Sequence, residues 1–96
     1  MFHHIVFFKL KHRERREDAH AIKAALEAMR GKIPELRHLE IGVDTLQTDR
    51  SWDVALITRF DSRAAMDVYQ EHPEHKKAIA IIKELRDQSI VVDWEE

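Results

Sequence analysis

Histidine gives this chain most of its chemical reach: seven of 96 residues, each able to gain or lose a proton near neutral pH. His72 and His75 lie three apart within Tyr69-Gln70-Glu71-His72-Pro73-Glu74-His75, a spacing that lets both reach one centre from a helix entrance. As a zinc site the pair is incomplete, because a third ligand would have to arrive from elsewhere. His72 directly before Pro73 also fits a plain helix cap. His3 and His4 are neighbours on an extended segment, so their side chains point to opposite faces and cannot chelate together. The rest of the composition narrows the chemistry further. Without cysteine there is no disulfide framework, thiolate nucleophile or thiolate metal site. Two glycines cannot build a phosphate-cradling loop, and asparagine is absent. No metal and no cofactor is expected.

The elements that must position these histidines can be read from hydrophobic periodicity. Phe2 to Leu10 predicts a strand, since Ile5, Val6, Phe7 and Phe8 are β-branched or aromatic. Asp18 to Arg30 predicts a helix with Ala19, Ile22, Ala25, Leu26 and Met29 on one stripe, stopped by Gly31 and Pro34. Leu36 to Leu46 alternates as a half-buried strand. Trp52 to Phe60 predicts another, with Val54, Leu56, Thr58 and Phe60 on one face. Asp61 or Ser62 caps a short helix through Tyr69. Pro73 opens a second helix carrying Ala78, Ile81, Ile82 and Leu85 down to Arg86. Ser89 to Trp94 is the last strand. The order β-α-β-β-α-β is the α+β, ferredoxin-like arrangement, with one antiparallel four-stranded sheet and a single domain spanning residues 1–96.

Helices cover only one face of such a sheet, and a free second face should be polar. Three strands break that rule. The first puts His4, Val6, Phe8 and Leu10 on one side but Ile5 and Phe7 on the other, and the last runs Ile90, Val91, Val92 and Trp94. Leaving side chains such as Phe7, Ile57 and Trp94 in water would forfeit roughly 1.5–3 kcal/mol each. No spare helix exists to cover them, so a homodimer packed sheet against sheet is expected. A chain of this size buries only about 65% of its unfolded surface alone, which makes shared burial valuable.

These residues resemble the stress-responsive A/B barrel domain, or Dabb, family of dimeric α+β barrels. The resemblance covers nearly the whole chain and rests on His4-Ile5-Val6-Phe7-Phe8-Lys9-Leu10-Lys11, Ile33-Pro34, Trp52-Asp53, Phe60-Asp61 and, most specifically, the Tyr69-x-x-His72-Pro73-x-His75 signature. Plant members include olivetolic acid cyclase, a cofactor-free polyketide cyclase, and the resemblance implies a general base at His75 with Tyr69 beside it. A histidine can remove a carbon-bound proton activated by carbonyls, while a tyrosine hydroxyl holds the developing enolate oxygen. His4 is the third candidate, placed on the helix-covered face. An apolar small molecule would then be lined by Val6, Phe8, Leu26, Val54 and Leu56. The sequence departs from the plant cyclase in having Val54 in place of a further pocket histidine and Arg86 in place of a bulky aromatic, so a different substrate is implied.

Lys9 to Arg16 carries five basic residues and one acid, which reads as a solvated loop and helix start. A nucleic-acid partner is excluded on two grounds: 16 Lys+Arg against 18 Asp+Glu leaves a net charge of −2, and the third strand lacks the stacking aromatics of an RNA-binding sheet. No apolar run approaches the roughly 18 residues of a membrane span, and no secretory leader is recognisable, so the expected location is cytoplasmic by default. Three functional readings follow. The first is a Dabb-type protein of unassigned role that binds an apolar small molecule. The others are a cofactor-free cyclase, lyase or isomerase acting on a carbonyl compound, and a structural or stress-protective oligomer.

Overall fold

The computed structural model describes all 96 residues, Met1 to Glu96. Seven elements follow one another: β1 (Phe2–Leu10), α1 (Arg16–Glu27), β2 (His38–Val43), β3 (Val54–Phe60), α2 (Arg63–Glu71), α3 (Pro73–Leu85) and β4 (Arg86–Glu95). The four strands form one antiparallel sheet in the order β2-β3-β1-β4. The expected ferredoxin-like α+β fold is therefore present, with β2 and β4 as its edges. No helix is long and apolar enough to cross a membrane.

The predicted core is the observed one except at Ile81, which the stripe of α3 places inside but which is 48% exposed, while Ala78 and Ile82 of that stripe are buried. Ala19, Ile22, Ala25 and Leu26 of α1 are buried against the sheet face formed by Val6, Phe8, Leu39, Ile41, Val54, Leu56 and Phe60. Met29 and Ile33 complete the stripe beyond the helix proper, because the chain tightens after Glu27 into turns such as Met29 N–H to Leu26 O at 3.1 Å. Gly31, with φ +77°, makes the reversal that a side chain would strain. Ser62 rather than Asp61 caps α2, its hydroxyl accepting from the Ala65 amide at 3.1 Å. His72 caps α3 with Nδ1, accepting from Glu74 N–H at 3.1 Å, and Pro73 occupies the first turn where its missing N–H is harmless.

Boundaries differ at β2, which is shorter than Leu36–Leu46, and at β4, which begins at Arg86, directly after α3, with no intervening loop. Lys9 pairs with Gln88 but Leu10 with Arg86, so Asp87 is an extra residue in the edge strand, a β-bulge. Pairing also fixes the second face of the sheet: His3, Ile5 and Phe7 of β1 lie beside Arg59, Ile57 and Ala55 of β3 and beside Trp94, Val92 and Ile90 of β4. No helix covers this side, and Phe7, Ile90, Val92 and Trp94 are all at least 40% exposed.

The basic run after β1 is built in more firmly than its charge suggests. Asp53 is completely buried. Its carboxylate accepts from Leu10 N–H at 2.9 Å, Arg13 Nε at 3.3 Å and Arg16 Nη1 at 3.0 Å. Arg13 continues to the Thr48 and Ser51 carbonyls, and Arg16 to that of Asp44. Two of the five bases thus tie the entrance of α1 to the β2–β3 connection, leaving Lys11 and Arg15 to solvent.

Candidate functional site

Tyr69 and His75 meet at the junction of α2 and α3, and His4 lies on the helix-covered side of β1, near enough to His75 for its charge to be felt there. Tyr69 sits in the last turns of α2, fully buried, its ring against Phe60 at a 4.9 Å centroid distance and against His75 at 4.4 Å. Its hydroxyl has no hydrogen-bond partner. Burial pushes its pKa well above the ordinary tyrosine value. Tyr69 is therefore held as a neutral O–H donor without an acceptor.

His75 stands in the first turn of α3, where the cap by His72 and the bend at Pro73 turn it back toward α2. Its Nδ1 lies 3.1 Å from the Gln70 carbonyl oxygen. A carbonyl only accepts, so Nδ1 carries the proton and the neutral ring keeps its lone pair on Nε2. Burial lowers the His75 pKa. The Gln70 carbonyl opposes this, and the nearby charge of His4 adds to the lowering. The ring is thus neutral at pH 7 and basic at a defined atom.

His4 is buried in β1 and donates from Nδ1 to the carboxylate of Asp93, directly opposite it on β4. Asp93 itself is 39% exposed at its side chain. Beside it on the same face, Val91 pairs with Val6 and is 48% exposed. The three polar groups themselves are enclosed: Tyr69 and His4 are buried and His75 is half-buried. His72 is turned into helix architecture and takes no part. No group of three or more His, Cys, Asp or Glu side chains is placed to hold a metal ion.

The expected apolar lining, Val6, Phe8, Leu26, Val54 and Leu56, belongs to the nineteen-residue core, with each side chain 7% exposed or less. A surface hollow of about 380 Å3 lies on the other side of the sheet, between Phe7, Gly42, Ala55, Trp52 and Arg50; of the five expected lining residues, only Val54 reaches it. A second hollow is formed by the Leu46–Ser51 loop alone. Asp93 was not foreseen in the sequence. Its only signal is its place one residue before Trp94 in an alternating strand, and the partnership with His4 needs the β1–β4 register.

The chain matches the stress-responsive A/B barrel domain over residues 2–96. It belongs to the Dabb family. Solved structures agree with this Dabb assignment. A dimeric protein of unknown function with a ferredoxin-like fold from Bacteroides fragilis is 32% identical, covers 99% of this chain and 95% of that one, and superposes with a TM-score of 0.87. A dimeric ferredoxin-like protein of unknown function from Thermobifida fusca is 25% identical, with coverage of 99% and 90% and the same TM-score. A hydroxynitrile lyase from Passiflora edulis shares the Dabb chain's fold at 20% identity, with coverage of 97% and 90% and a TM-score of 0.80.

Proposed function

We propose that this Dabb protein is a cofactor-independent acid–base enzyme acting on a small carbonyl compound, as a cyclase, lyase or isomerase. One observation carries the reading: a neutral His75 with its lone pair fixed on Nε2 is packed against a tyrosine hydroxyl that is buried without an acceptor. A base and a hydrogen-bond donor held side by side are what proton abstraction next to a carbonyl requires. The substrate oxygen satisfies Tyr69 while His75 Nε2 takes the proton. His4, oriented by Asp93, supplies the second proton-carrying group, and Val6 and Val91 contribute apolar surface. The hydroxynitrile lyase on the same fold supports the idea that such a scaffold can host proton-transfer chemistry.

We further propose that the working unit is a homodimer closed through the uncovered sheet face, in keeping with the dimeric relatives. A second reading is binding of an apolar compound without turnover, for which the exposed Val91 beside Val6 is the supporting observation. The two are separated by a thermal-shift screen of aromatic and polyketide-like carbonyl compounds, followed by turnover assays on wild type and His75→Ala. The enzyme reading expects a stabilising compound that only the wild type converts. A compound that stabilises both proteins and is converted by neither would leave a binding module.

A further inference from the structure

The uncovered sheet face has two unlike ends. At one end Trp94 lies flat on His3, with ring centroids 4.7 Å apart and planes within 3°, and Glu96 Oε1 sits 2.9 Å from His3 Nε2. Trp94 is still 41% exposed, and the row that runs across this face from it is His3, Arg59 and His38. At the other end is the hollow of about 380 Å3. Phe7 and Trp52 wall it, and Gly42 leaves open space where a side chain would stand. Lys9 lies over the Trp52 ring at 5.5 Å, Arg50 makes no ion pair, and the Asp44 carboxylate is occupied by the Gln47 amide.

We infer that this hollow is a socket for a second copy, and that the partner's Trp94 fills it. The inference rests on the homodimer proposed above and specifies how the two sheets lie on one another. Trp94 is on edge strand β4, whereas the hollow lies between β1, β3 and the opposite edge strand β2, so the two sit at diagonally opposite corners of the face. A two-fold axis between the sheets that keeps like ends together sets Lys9 and Arg50 near their own copies and leaves both hollows empty, which costs in charge repulsion and lost packing. An axis that exchanges the two corners, with the strands of the two sheets crossing steeply, seats two tryptophans in two sockets by symmetry and brings Glu96 toward Arg50. An aromatic anchor in a pocket at the interface is also where binding energy concentrates.

Sedimentation equilibrium of wild type, Trp94→Ala, Gly42→Leu and Val91→Ala tests this. The first two variants should weaken the dimer about tenfold or more, whereas Val91→Ala, on the helix side, should leave it unchanged. Gly42→Leu keeps the fold because nothing lies within 4 Å of the added Cβ. The cysteine-free chain also permits a clean cross-link. Arg50→Cys combined with Glu96→Cys should oxidise to a covalent dimer, and neither single variant should do so. A dimer in which Gly42→Leu and Trp94→Ala bind as tightly as wild type, or in which Glu96→Cys alone cross-links, overturns the socket and leaves the homodimer standing. A monomeric wild type overturns both.

Discussion

Replacing Tyr69 by phenylalanine separates function from stability with opposite signs. The tyrosine ring is packed against Phe60 and His75 at centroid distances of 4.9 and 4.4 Å, and phenylalanine keeps both contacts. Only the hydroxyl disappears, and that hydroxyl is buried and unpaired. Leaving such a group unsatisfied costs about 1–3 kcal/mol, while the small void that replaces it costs up to about 1 kcal/mol. Tyr69→Phe should therefore stabilise the free protein by about 1.5 kcal/mol, within a range of roughly 0 to 3. For a domain of this size that raises Tm by about 4–8 °C per kcal/mol. Tyr69→Ala, which loses the ring, should instead cost about 3–5 kcal/mol. Urea denaturation of the three proteins reads the signs directly, and the carbonyl-compound assay should show Tyr69→Phe losing turnover as it gains stability. A phenylalanine variant destabilised by more than about 1 kcal/mol would mean that the hydroxyl is satisfied in the folded protein. It would then not be waiting for a substrate oxygen.

Two further outcomes follow from buried ionisable groups. The His75 pKa is lowered in the folded protein, so below about pH 6.5 the unfolded chain binds a proton that the native state refuses, and stability falls as pH drops through that range; His75→Gln should flatten this acid-side loss in denaturation curves measured from pH 5 to 8. Asp53→Ala leaves Arg13 and Arg16 without their shared, fully buried acceptor and should destabilise by about 3–5 kcal/mol; a Tm within 2 °C of wild type would show that the loop entering α1 is held by other contacts.

The element order was readable because each face announces itself in side-chain type. Ala19, Ile22 and Leu26 mark a helix stripe, and Val54, Leu56, Thr58 and Phe60 mark a strand face; all seven are buried where expected. Apolar Ile5, Phe7, Ile57 and Trp94 likewise reveal a face the chain does not cover. Tyr69 and His75 were legible as a pair through the family resemblance, whose Tyr-x-x-His-Pro-x-His signature carries both. What escaped depends on long-range register. Asp93 meets His4 across 89 residues, and Asp53 meets Arg13 and Arg16 across 40 and 37. In a linear reading those arginines are a charge run, and nothing local reveals the buried carboxylate that neutralises them. Apolar side chains carry the opposite ambiguity, since Phe8 or Leu26 looks the same in sequence whether it lines a cavity or fills a core.

The extra residue at Asp87 has a meaning beyond local irregularity. A helix advances its side chains by about 100° per residue and a strand by 180°, so a helix that becomes a strand without a loop has no slack in which to reconcile the two. His75 near the start of α3 and Asp93 near the end of β4 must nevertheless face the same side of the sheet. The bulge acts as a gearbox between these two rotations, adding one residue of travel without changing the pairing of His4 with Asp93. Loss of Asp87 itself would leave Gln88 opposite Lys9 and Arg86 opposite Leu10, whereas adding or removing a residue between Gln88 and Asp93 exchanges the faces of Asp93 and Trp94. Change in this strand is therefore open to substitution and to loss of the bulge, and closed to insertion or deletion beyond it.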